Sequence, residues 1–178
     1  MTALPAAGGE FKIANDYQLQ YAHIMLRISD LAYGEQLVLW AARRWLADRS
    51  GWPRVAEEFA LALGCTRARA ALGAIEQILE ALHGGARRTV YLHRLHCCRV
   101  SGDEHALLSA LAALQAGSPA RARAFLEWLL PPPLAADVAG PAARLAEALA
   151  RAGLLIPARP LTGTTPIPVR AEAGALLH

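Results

Sequence analysis

Two stretches of this chain, offset by about 69 positions, carry the same order of helix-forming segments, and a repeat of that kind constrains a fold more than any single motif. GEQLVLWAARRWLADRS from Gly34 aligns with DEHALLSALAALQAGS from Asp103, placing Glu35 on Glu104, Val38 on Leu107 and Leu39 on Leu108. Further on, LGAIEQILEALHGG matches VAGPAARLAEALARAG, with Gly73 on Gly140, Ile78 on Leu145, Glu80 on Glu147 and Leu82 on Leu149. Between these anchors, VAEEFALAL and ARAFLEWLL each supply a short amphipathic segment centred on Phe59 or Phe125. The alternative is that Ala/Leu-rich helices resemble one another by composition alone.

Read as a duplication, the pattern predicts an all-α protein: an orthogonal bundle of about seven helices, in which two three-helix units follow an N-terminal helix. The first unit covers about 30–93 and the second about 100–156, within a single helical domain over 13–156. A β-hairpin or extended linker joins the units. Residues 1–12 read as a flexible leader, and 157–178, with four prolines and three threonines, as an extended tail.

Local signals place the helices. Tyr17, Tyr21, Ile24 and Ile28 recur every three or four residues after Asn15 and Asp16, which predicts the N-terminal helix. Ser29 or Asp30 caps the next helix, which holds Leu37, Trp40, Ala41, Arg44 and Trp45, with Trp40 and Trp45 expected in the core. Pro53 suits the first turn of the helix after Gly51, where a missing N–H costs nothing. Ser101 and Glu104 have the SxxE spacing of a capping box and mark the start of the second unit. The triple proline at 131–133 is expected to end the helix before it, and the last helix to begin near Asp137 or Pro141 and close at Gly153.

One corner has a nucleic-acid reading. Ala60, Gly64 and Ala70 have the spacing of the small, turn and apolar positions of a helix-turn-helix. Thr66, Arg67 and Arg69 then open its second helix, within reach of phosphates or guanine edges, and GGARRTVYLHR forms a hairpin with Arg87 and Arg88 near its tip. Over about 40 residues this resembles a winged helix-turn-helix DNA-binding domain. The resemblance implies DNA as partner, with Thr66, Arg67, Arg69, Arg87 and Arg88 in contact. The alternative is a helix–helix corner with solvated arginines, which Gly73 and the prolines replacing Gly64 in the second unit favour.

The hinge between the units, ARRTVYLHRLHCCRVSGDEH, gathers most of the reactive side chains. His93, His96, Cys97 and Cys98 are candidate zinc ligands, with Asp103 or Glu104 to complete a tetrahedral set, although no CxxC pair is present. On the other reading Cys97 and Cys98 are small buried hydrophobes beside surface histidines.

Catalytic groups are few. GxxxxGK[ST], GxSxG and HExxH are all missing. Glu35 and Glu104 are the best acid/base pair, but each stands in a first helical turn, where a carboxylate caps free amides. Catalytic residues are therefore expected to be none, and a cofactor none unless the hinge holds zinc. Three cysteines without an export signal predict reduced thiols and the cytoplasm; no apolar run spans a bilayer. The net charge of +3 is carried almost wholly by arginine and permits an anionic partner without requiring one. The leading expectation is a non-catalytic, bacterial-type regulatory or adaptor protein that binds another protein or a second copy of itself through apolar helix surfaces. A DNA-binding transcriptional regulator and a zinc-binding protein are the alternatives.

Overall fold

The computed structural model describes residues 26–159 and, as backbone, the strand β1 (Phe11–Ile13). The protein is mostly helical, with six α-helices among the described residues rather than about seven. They are α1 (Tyr33–Ala47), α2 (Trp52–Leu63), α3 (Cys65–Gly85), α4 (Gly102–Gln115), α5 (Pro119–Leu129) and α6 (Pro132–Arg151). The lengths run 15, 12 and 21 residues, then 14, 11 and 20. Most of the expected N-terminal helix falls outside the described residues. Its last predicted member, Ile28, opens a single 3-10 turn, Ile28–Asp30. No helix of the described residues is long and apolar enough to cross a membrane.

The core follows from the helical period. α3 buries Ala71, Ala74, Ile75, Ile78, Leu79 and Leu82, spaced by three and four residues, and lies along α6, which presents Val138, Ala142, Leu145 and Leu149. Alanines at this seam let the two longest helices run close together. α4 is apolar almost all round and is buried on most sides by α5, α6 and β2. The two runs nevertheless pack differently. The backbone of α4 lies close to those of α5 and α6, whereas that of α1 stands further from α2 and α3. A groove runs beside α1.

Three local expectations need correction. α6 begins at Pro132, directly after the N-cap Pro131, and runs through a buried Pro141. Prolines in a first turn forfeit no hydrogen bond, so the triple proline starts a helix as readily as it stops one. The N-cap of α1 is Ala32 rather than Ser29 or Asp30, and the Glu35 side chain accepts from its amide. Finally, the hinge forms no hairpin. Its single strand β2 (Val90–Leu92) pairs in parallel with β1, Phe11 opposite Val90 and Ile13 opposite Leu92. Of the expected leader at 1–12, residues 1–10 lie outside the described residues. At the other end Ile156 is buried and Arg159 reaches back to Glu35, so the residues just past α6 lie against the body; 160–178 are outside the described residues.

Candidate functional site

The hinge is held from below by the first turn of α4. Ser101 Oγ accepts from the Glu104 amide at 3.1 Å and Glu104 Oε2 accepts from the Ser101 amide at 2.8 Å, the reciprocal cap that the SxxE spacing predicts. Glu104 then does more than cap. Its carboxylate, fully buried, takes both Nε and Nη2 of Arg43 from α1 at 2.7 and 2.9 Å, and its Oε1 also accepts from the His93 amide at 3.0 Å. Arg43, 3% exposed, also donates to the backbone carbonyls of Cys97 at 2.7 Å and Arg99 at 2.6 Å. One buried pair thus ties α1, α4 and the hinge strand together.

Asp103 repeats the device one position earlier. It accepts from Arg88 through both oxygens and from the Tyr91 amide at 2.8 Å, while the Arg88 guanidinium lies 5.3 Å from the centre of the Trp128 ring. Beyond β2, the Cys97 amide closes a turn onto the Arg94 carbonyl. The chain then pairs back on residues 26–28, Ile28 donating to the Cys98 carbonyl at 2.8 Å and Val100 to the Leu26 carbonyl at 2.9 Å.

These restraints shape the groove. It measures about 540 Å³ and runs between α1, the start of α2 and the turn at residues 95–98. Ile28, Tyr33, Leu37, Trp40 and Leu95 supply its apolar wall, and His96, Cys97 and Cys98 its hinge side. Its charged neighbours are already engaged: Arg43 as described, Arg54 with Glu58 at 3.7 Å. The sequence reading placed Trp40 in the core; it is half-buried here, whereas Trp45 is buried.

The expected site residues disperse. His93 is buried, His96 and Cys98 are exposed and Cys97 is half-buried. Among the described residues no three His, Cys, Asp or Glu side chains gather where they could hold a metal ion, and Asp103 and Glu104 are committed to arginines. Thr66, Arg67 and Arg69 are exposed at the start of α3, where Arg67 Nε caps the Leu63 carbonyl at 2.7 Å. Arg87 and Arg88 follow its far end, roughly 30 Å away at 1.5 Å per helical residue. Arg87 donates to the Glu127 carbonyl and Arg88 is paired to Asp103. Gly64 does turn the chain, with φ at 79°, but alone: α2 and α3 are separated by this one residue, not by the three or four of a helix-turn-helix. Ala70, the expected apolar contact, is exposed, and Ala68 and Ala71 are buried instead.

Glu35 and Glu104 both act as caps. Glu35 accepts from the Ala32 amide at 2.7 Å and from Arg159 at 2.9 and 3.0 Å, so neither carboxylate is left for acid/base work. Sequence reasoning missed Arg43. Its signal was position: Glu35, Leu39 and Arg43 stand four apart on the buried face of α1, and an arginine on such a face requires a buried anion.

Next to Glu104, His105 has its Nε2 buried, with no hydrogen-bond partner among the described residues. Burial, and after it the charge of Arg159, hold its pKa below the ordinary 6.5, with Glu35 opposing. As pH falls the unfolded chain therefore takes up this proton before the folded one. The contribution to stability is complete above pH 6.5 and is lost as pH falls through the lower folded-state value. His105→Leu is expected to flatten the decline in Tm between neutral and mildly acid pH. An unaltered slope in a thermal melt series would remove His105 as its source.

Comparison with protein-family models, with curated proteins and with solved structures found no match.

Proposed function

We propose that the protein is a non-catalytic regulatory or adaptor protein of the cytoplasm whose groove beside α1 receives an amphipathic helix of another protein. The observation that carries this reading is the character of the wall. The side formed by Ile28, Tyr33, Leu37, Trp40 and Leu95 is apolar, and the charged residues beside it, Arg43, Arg54 and Glu58, already have partners, so it favours the apolar face of a helix over a charged ligand. Tyr33 is 53% exposed at its mouth, the kind of aromatic anchor on which such contacts concentrate. The finer reading of the fold belongs here too: two three-helix units descended by duplication, the first having opened to make the groove while the second stayed closed. DNA and zinc readings remain available on Thr66, Arg67, Arg69, Arg87 and Arg88 and on His93, His96, Cys97 and Cys98, but no arrangement of those residues favours either.

A photoreactive amino acid at Tyr33 tests the proposal in cells. Crosslinks to an amphipathic segment of a second protein are expected, and a synthetic peptide of that segment should bind purified protein with Trp40→Ala weakening it at least tenfold, about 1.4 kcal/mol. Crosslinks confined to this chain, or a peptide that binds Trp40→Ala as well as the parent, would overturn it.

A further inference from the structure

We propose that Cys97 and Cys98 form a dithiol modification site that reacts with hydroperoxides to give a strained, readily reduced disulfide. The inference holds whether or not the groove takes a partner helix. Its first support is placement. Cys97 and Cys98 are neighbours in the chain and both border the groove, just beyond the turn closed by Cys97 and Arg94. Both thiols are free; Cys98 is exposed and Cys97 half-buried.

The second support is what the bond would do to the backbone. Disulfides normally join Cα atoms about 4.4–6.8 Å apart, whereas neighbours across a trans peptide are about 3.8 Å apart. Closing the ring must therefore twist the Cys97–Cys98 peptide. The carbonyl of that peptide is the one Arg43 holds at 2.7 Å, and the next, that of Cys98, accepts from Ile28 at 2.8 Å. Ring closure thus pulls on the Arg43–Glu104 pair and on the segment at residues 26–28 together. The strain makes the bond easier to reduce, as in labile and regulatory disulfides.

The chemistry balances without a cofactor. The exposed Cys98 sulfur attacks the peroxide, breaking the O–O bond; it becomes a sulfenic acid and the alcohol leaves. Cys97 sulfur then attacks the sulfenic sulfur and water departs with the Cys97 proton. The two thiols lose two electrons in all, and the peroxide gains them as one alcohol and one water.

The test uses the full chain carrying Cys65→Ser, so that the remaining thiols are the two in question, treated with stoichiometric tert-butyl hydroperoxide. Expected are the loss of two hydrogen atoms by intact mass, mapping to the peptide that holds both cysteines, and a Tm lower by at least about 4 °C that dithiothreitol restores. The Cys65→Ser/Cys97→Ser chain should show neither the hydrogen loss nor the reversible drop. A stable sulfinic acid on Cys98, disulfide-linked dimers, or an oxidised form that melts like the reduced one would overturn the proposal.

Discussion

Replacing Glu104 with alanine is expected to lower the free energy of unfolding by about 3–5 kcal/mol, because Arg43 is then left as a buried charge with no counterion. Burial on both sides makes the pair matter: the side chains are 2% and 0% exposed, so water cannot take the place of the missing partner. Exposed pairs such as Arg151–Glu147 are expected to contribute no more than about 1 kcal/mol. The double variant Arg43→Met/Glu104→Leu should lose less than the two single losses added together, since neither charge remains. It should still fall short of the parent, because the Cys97 and Arg99 carbonyls and the His93 and Ser101 amides all lose partners. Guanidinium denaturation of the parent, Glu104→Ala, Arg43→Met, Glu104→Leu and the double variant measures both quantities. A loss below about 1 kcal/mol for Glu104→Ala would mean that the hinge opens to water at little cost.

Phe59→Ala is expected to cost about 3–5 kcal/mol and Phe125→Ala far less, although each phenylalanine stands near the middle of its unit's short amphipathic segment. Phe59 is fully buried, so its removal leaves a cavity that surrounding helices cannot collapse into. Phe125 is only partly buried, with the Arg121 guanidinium 5.8 Å from its ring centre, and its place can be refilled by solvent or by that arginine. Equal losses in chemical denaturation would show that Phe125 is as well packed as Phe59, contrary to its partial exposure.

What the sequence revealed and what it concealed divide along the range of the interactions. Ser101 and Glu104 announced a helix start because both halves of the cap lie within four residues. The seam of α3 was legible from its period alone. The start of α6 was not, since Pro132 permits a first turn and breaks a helix with equal ease, and only the fit of Ala135 and Val138 onto α3 decides which occurs. β2 was expected to find its partner nearby and found it at β1. The candidate metal and DNA residues were chosen for chemical type and local spacing. Their actual partners, Arg43 for Glu104, Asp103 for Arg88 and the Leu63 carbonyl for Arg67, include pairings up to 61 positions apart. Arg43 could have been found only by asking what a guanidinium was doing between Leu39 and Trp45 on a buried face.

The parallel pairing of β1 with β2 also has a history in time. A ribosome adds about 5–20 residues per second, so residues 11–13 are made roughly 4–16 s before residues 90–92 that pair with them. Through that interval the earliest strand has no edge to join, while α1, α2 and α3 need only near neighbours to begin packing. The seam between the first strand and the hinge is thus a late closure, made after the helices it fastens have already taken shape.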